Sequence, residues 1–262
     1  MPTRLFTSLC FIVLVSTGVG CDSQPVSVSD ERSSTPNQDS QNLQVPSFHI
    51  PSETTLDEPS ARRLFDGKTL TGWESTNFGG EGEVVVSDGT IQLAMGYPMT
   101  GITATSEELP TDHYEISLDA MRVDGTDFFC GLTFPVEASY CSLIVGGWGG
   151  TLVGLSSIDG KDAANNDTML HMNFENGQWY HLRVRIADRR VSVWIDDQQV
   201  IDEDLKGKEL SLRNEILPSR PLGICGFQSE CAIKNILLKP VGSGSPVSPS
   251  NNDNEPLPVG GE

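Results

Sequence analysis

The chain predicts an all-β fold, an antiparallel β-sandwich, and three observations carry that prediction. Apolar and polar residues alternate with a period of two in several stretches. Asp-Gly and related turn pairs separate those stretches at short intervals. No window supports an amphipathic helix of three turns. Frequent short strands of this kind pack as two stacked antiparallel sheets.

Taken in order, Leu64 and Phe65 anchor an entry strand, Asp66-Gly67 makes a tight turn, and Trp73 closes the unit as an aromatic plug. Strands are expected over 84–86, 90–94 and 101–105, the first two joined at Asp88-Gly89. His113 to Ala120 alternates strictly and places Tyr114, Ile116, Leu118 and Ala120 on one face. Asp124-Gly125 turns the chain into strands over 127–134, 140–145 and 151–157, and Asp159-Gly160 turns it again. Trp179 to Ile186 carries Leu182, Val184 and Ile186 inward and Arg183 and Arg185 outward. Val191, Val193 and Ile195 repeat the pattern, Asp196-Asp197 turns, and Gln198 to Ile201 completes a hairpin over 190–201. Strands over 222–228 and 231–239 close the domain.

The ends read differently. Arg4 followed by the apolar run Leu5 to Val19 has the length of a signal-peptide core and is short for a bilayer span. It leads into Gly18-Val19-Gly20-Cys21, which resembles a bacterial lipobox, with Gly18 where that motif usually has Leu. Residues 1–20 are expected to be a lipoprotein-type signal peptide, and Cys21 the lipidated residue. Residues 21–60 are rich in Ser, Pro, Thr, Gln and Asn and read as a disordered tether. Residues 242–262 read as a disordered tail, which leaves 61–241 as one folded domain. The expected location is the bacterial periplasm or cell surface, on a lipid anchor, as a monomer. The net charge of −19 argues against nucleic acid or anionic membrane surfaces as partners. Cys130, Cys141, Cys225 and Cys231 remain after export, and an even set in an oxidising compartment suggests disulfides. Local pairing, Cys130 with Cys141 and Cys225 with Cys231, is the expected arrangement, with Cys130–Cys225 as the alternative. No Cys-x-x-Cys spacing occurs, which speaks against zinc.

Leu64-Phe65-Asp66-Gly67-Lys68-Thr69-Leu70-Thr71-Gly72-Trp73 resembles the opening signature of the 3-keto-disaccharide hydrolase domain family. Tyr114 to Arg122 is similar to that family's YELxxxFR strand, and Trp179 to Val184 to its WNxxxIxV strand. Trp194 to Val200 resembles its WxNGxxV hairpin, and Gly223 to Gln228 with Ile233 to Ile236 its closing GxIGLQ…FRNI pair. The resemblance implies a concanavalin A-like jelly roll with a concave face that handles carbohydrate. It departs at Asp127-Phe128-Phe129-Cys130-Gly131-Leu132, where the family carries Gly-Asn-Ser-Gly, and again over 146–166. That departure points to altered chemistry or to binding alone.

The reaction implied is cleavage of a 3-keto-glycoside. A base removes the acidified hydrogen at C2, the glycosidic oxygen leaves by β-elimination, and water adds later. Such a site needs a base, a donor for the enolate oxygen and an acid for the leaving group. Asp127, Asp159 and His171 are the candidate catalytic residues. Asp127 also reads as a turn cap, and His171 as a lone surface histidine. Trp148, set among Gly146, Gly147, Gly149 and Gly150, is a candidate for stacking on a sugar ring. Asp162, Asn165 and Gln228 are candidate substrate contacts. The Asp- and Asn-rich stretch 159–167 also suits Ca²⁺, though without the EF-hand spacing. Trp73, Trp179 and Trp194 are expected in the core. The function expected is an exported carbohydrate-active domain cleaving 3-keto-glycosides by elimination and hydration. The rival readings are a non-catalytic, lectin-like carbohydrate-binding lipoprotein and an adhesive surface domain.

Overall fold

The computed structural model describes residues 61–106 and 108–242. The expected signal peptide, Cys21, the tether and nearly all of the tail lie outside the described residues.

The chain runs through β1 (Arg62–Arg63), β2 (Trp73–Ser75), β3 (Val84–Ser87), β4 (Thr90–Leu93), β5 (Met99–Ala104), β6 (Tyr114–Gly125), β7 (Cys130–Val136) and β8 (Ser139–Gly146). It continues through β9 (Leu152–Ser156), β10 (Leu170–His171), β11 (Trp179–Ala187), β12 (Arg190–Ile195), β13 (Gln198–Asp204), β14 (Gly223–Phe227) and β15 (Ser229–Pro240). One sheet has the order β13-β12-β11-β6-β15-β4-β3, with β1 added on β15; the other has the order β10-β9-β8-β7-β14-β5-β2. All pairings are antiparallel. The all-β antiparallel sandwich expected from the alternation is the architecture observed.

The period of two explains the core. Tyr114, Ile116, Leu118 and Ala120 of β6 and Leu182, Val184 and Ile186 of β11 are all buried on the inner face of the eight-stranded sheet. Leu132 and Phe134 of β7, Leu143 and Val145 of β8, and Ile224 of β14 face them from the other sheet. Phe129, Phe174 and Tyr180 cluster with ring centroids 5.0 to 5.8 Å apart, Phe174 edge-on to the other two and Phe129 tilted on Tyr180. The Asp-Gly signals mark turns with positive φ, such as Asp88 (52°) with Gly89 (76°), the geometry a two-residue hairpin needs. The opening decapeptide forms a closed clip. Asp66 Oδ1 accepts the N–H groups of Lys68 and Thr69 at 2.7 and 2.8 Å, and Trp73 Nε1 donates to Leu64 O at 2.8 Å.

Three expectations need correction. The two-residue β1 and β10 and the short β2 are too brief for the alternation to register them. Of the tryptophans expected in the core, Trp73 is there. Trp194 is buried as well, though beneath a cation, with Arg183 4.1 Å over its ring; Trp179 is only half-buried, with Lys234 Nζ 3.9 Å over its ring. The disulfides are absent, and all four thiols are buried and free. In register Cys130 faces Val145 and Cys141 faces Phe134, so the hairpin keeps these cysteines apart. Cys225 lies on the seven-stranded sheet opposite Gly101 and Gly131, whereas Cys231 lies on the eight-stranded sheet opposite Leu93. Burial pushes the Cys141 and Cys225 thiols up to about 12, so they behave as small apolar groups.

Candidate functional site

The outward positions of the seven-stranded sheet are mostly small. Gly223, Thr133, Ser142 and Ser156 form one row across β14, β7, β8 and β9. Gly131, Ile144 and Gly154 form the next. Small side chains leave depth over the strands, and the connections beside them supply walls. A 3₁₀ segment, Asn214–Ser219, lays Ile216 against Met99, Phe128, Ile144, Leu152 and Cys225. The result is a groove of about 280 Å³ whose lining includes Met99, Phe128, Ile144, Ile216 and Phe227, with Ser142 and Ser156 as polar lining. The Phe128 and Phe227 rings stack at 5.5 Å.

Four residues give the groove its chemistry: Asp127, Trp148, Arg213 and Glu215. Trp148 is 46% exposed. It sits in a left-handed turn, with φ of 78° at Gly146, 49° at Trp148, 88° at Gly149 and 103° at Gly150. Such a run needs glycines around the one bulky residue. Asp127 holds the turn: Oδ2 accepts the Gly149 N–H at 3.2 Å and Oδ1 accepts the Phe128 N–H at 2.8 Å. Ser229 Oγ accepts the Asp127 N–H at 3.2 Å and donates to Asp127 O at 2.8 Å. Behind the turn lies the buried guanidinium of Arg122. It donates to Phe174 O and Asn176 Oδ1 at 2.6 Å, and to Gly150 O and Asp127 O at 3.4 Å. Asp127 and Arg122 therefore place Trp148 on the rim.

On the opposite wall Arg213 donates to Glu215 Oε1 at 2.5 Å and to Asp162 Oδ2 at 2.9 Å. Burial works against ionisation of Glu215, but its own backbone N–H and the Arg213 guanidinium outweigh it and hold the carboxyl below its ordinary range.

The structure separates the candidate catalytic residues. Asp127 lines the groove, but His171 and Asp159 do not. His171 is exposed on β10, with Nδ1 3.0 Å from Thr151 Oγ1. Asp159 is an exposed turn residue whose Oδ1 accepts the Glu209 N–H at 2.8 Å. Asp162 reaches the groove only through Arg213. Its Oδ1 accepts from Ala164 N–H at 3.1 Å and Asn165 Nδ2 at 2.6 Å, so Asn165 is a loop brace. Asn166 ties the same loop to Leu155 O at 2.7 Å and Asp162 O at 2.9 Å. The loop thus spends oxygens on its own amides, and among the described residues no group of three or more His, Cys, Asp or Glu is placed to hold a metal ion. Gln228 is exposed in the turn between β14 and β15, with φ 47°. Arg213, Glu215, Phe128, Phe227, Met99, Ser142, Ser156 and Ile216 were not anticipated. The large-in, small-out alternation of β7, β8 and β9 was the available signal for the groove floor. Nothing local marks Arg213 or Glu215.

The 3-keto-alpha-glucoside-1,2-lyase-like domain family model matches residues 60–239. The chain belongs to this family. In this 3-keto-alpha-glucoside-1,2-lyase-like domain the two ends of the match meet: β1 pairs with β15, and the Leu64 N–H donates to Ile236 O at 2.9 Å. No curated protein matches the chain. Among solved structures, a candidate glycosyl hydrolase from Parabacteroides distasonis is similar at 16% identity and TM-score 0.45, over 70% of this chain and 95% of that one. The carbohydrate binding module CBM66 from Bacillus subtilis is similar at 17% identity and TM-score 0.43, over 64% and 95%. Domain 4 of an extracellular arabinanase from Geobacillus stearothermophilus, solved with arabinotriose, is similar at 14% identity and TM-score 0.46, over 70% and 92%.

Proposed function

We propose that this member of the 3-keto-alpha-glucoside-1,2-lyase-like family binds a neutral carbohydrate in the groove beside Trp148 and does not cleave it. The observation that carries the reading is the state of the carboxylates. Both oxygens of Asp127 are engaged by backbone amides, and Glu215 is paired with Arg213. A proton-transfer residue needs a pKa near the working pH, and a carboxyl held below its ordinary range is poor at supplying a proton. Meanwhile an exposed indole on a braced turn, in a groove also lined by apolar side chains and two serines, suits the alternating CH and OH groups of a sugar ring. Isothermal titration of the full chain with a panel of neutral glycans tests this. Covering about 60 Å² of indole at about 25 cal/mol/Å² is worth about 1.5 kcal/mol, so Trp148→Ala should weaken binding roughly tenfold. Equal affinity in the two proteins would remove Trp148 from the site.

A second reading, elimination from a 3-keto-glycoside, is favoured by the family and by the two carboxylates and one guanidinium in one groove. There Glu215 is the base for the C2 hydrogen and Arg213 steadies the enolate oxygen. Incubation with 3-keto-trehalose decides it: sugar release that disappears in Glu215→Gln would replace the binding reading.

Export on a lipid at Cys21 belongs to the same proposal, supported by the Leu5 to Val19 run and the long polar segment after it. Labelled palmitate should enter the wild-type chain and not Cys21→Ala; labelling of both would refute anchoring at that residue.

A further inference from the structure

Close in sequence to the groove residue Met99 the chain carries an aromatic ring that is not part of the groove lining. Met99 pairs with Phe227 across β5 and β14, and both line the groove. Tyr97 lies two residues before Met99 and is 90% exposed. Its backbone is nevertheless held on two sides. The Tyr97 N–H donates to Gly80 O at 2.6 Å, and Pro98 O accepts the Gln228 N–H at 2.9 Å. A Cβ at Gly80 would stand 2.1 Å from Tyr97 O, and one at Gly96 would stand 2.2 Å from Met99 O, so the segments meet backbone to backbone. The turn carrying Gly80 is itself fixed, because Glu81 Oε2 accepts the N–H groups of Phe78, Gly79 and Gly80 at 3.1, 2.9 and 3.0 Å. Phe78 packs against the groove's apolar cluster.

An uncovered phenol on a fixed backbone loses little conformational freedom when a ligand stacks on it, since only its own side-chain torsions are ordered. The groove itself, about 280 Å³, lies at the lower edge of the roughly 300–1,000 Å³ usual for small-molecule sites. A ligand that uses Tyr97 therefore extends past the groove. Its charge is constrained as well. Asp127 and Glu215 outnumber Arg213 in the lining, Arg213 already serves Glu215 and Asp162, and the chain carries −19.

We propose that Tyr97 is an outer sugar subsite, so that the ligand is a neutral oligosaccharide of at least two units running from the Trp148 groove onto Tyr97. This rests on the carbohydrate-binding reading of the groove. The test titrates the full chain with mono-, di- and trisaccharides of whichever neutral glycan binds. Wild type should gain roughly tenfold in affinity from mono- to trisaccharide. Tyr97→Ala should remove that gain, Tyr97→Phe should keep it, and Trp148→Ala should weaken every length. A gain with length that survives Tyr97→Ala overturns the outer subsite, as does an affinity independent of length, and both leave the groove reading intact. Failure of every neutral glycan to bind overturns the groove reading, and the subsite with it. Tighter binding of an oligogalacturonate than of neutral trisaccharides overturns the charge selection.

Discussion

Glu115 shows how a single residue organises the outer face of the eight-stranded sheet. It sits at an outward position of β6, yet its side chain is only 3% exposed. Arg185 Nε lies 3.0 Å away, Lys239 Nζ 3.1 Å and Arg183 Nη1 3.6 Å. The cations come from β11 and β15, the two neighbours of β6, so one carboxylate ties three strands together. Arg183 and Arg185 also cover Trp194, which explains how an outward indole becomes buried. Removing the anion leaves three cations crowded and without their partner. Glu115→Ala should cost about 2 kcal/mol, less than a fully buried pair because the cations remain partly solvated. Urea unfolding measures this, and a change below about 0.5 kcal/mol would mean that the cations re-solvate freely.

At the level of elements, the turn Gly146–Thr151 and the strand entrance at Asp127 form one device. Each taken alone is unremarkable in sequence: a glycine-rich turn and an aspartate before a strand. Joined by the Asp127–Gly149 bond and backed by Arg122, they present Trp148 in a conformation that costs a non-glycine residue strain. Asp127→Ala removes two acceptors of backbone N–H groups. It should lower stability by about 1–2 kcal/mol and weaken glycan binding through Trp148, whereas a catalytic base would lose turnover with stability unchanged. Thermal unfolding and titration of the same variant separate the two roles. The capping interpretation of Asp127 was legible before the structure, since an aspartate after an Asp-Gly turn commonly caps. Its partner Gly149 was not legible, because the bond joins residues that only the β7–β8 register brings together.

For the whole molecule, stability should form a plateau with two shoulders. Asp66, Glu81, Asp204 and Glu215 have carboxyls held below their ordinary 3.8 to 4.5. For Asp66, Glu81 and Asp204 the cause is bonding to backbone N–H groups, and for Glu215 its own N–H and Arg213 overcome burial. A depressed folded value gives stability that is present above the unfolded value and lost as pH falls through the folded one, so the acid shoulder lies below about 4.5. Cys141 and Cys225 are raised by burial from 9.0 to about 12. Their contribution is complete below 9.0 and lost as pH rises toward 12, which sets the alkaline shoulder. A melting temperature that kept rising above pH 9 would show these thiols to be oxidised or exposed. The sequence by itself determined the strands other than the brief β1, β2 and β10, the hairpin turns, the two faces of β6 and β11, and the family. These depend on alternation and turn chemistry within a few residues. Tertiary structure alone decided that Ser142 and Ser156 meet in the groove that Trp148 lines, that Arg213 and Glu215 line it too, and that His171 and Asp159 do not. Alternation tells which face a side chain takes but not which strands are neighbours, and a groove exists only where small outward residues of adjacent strands coincide.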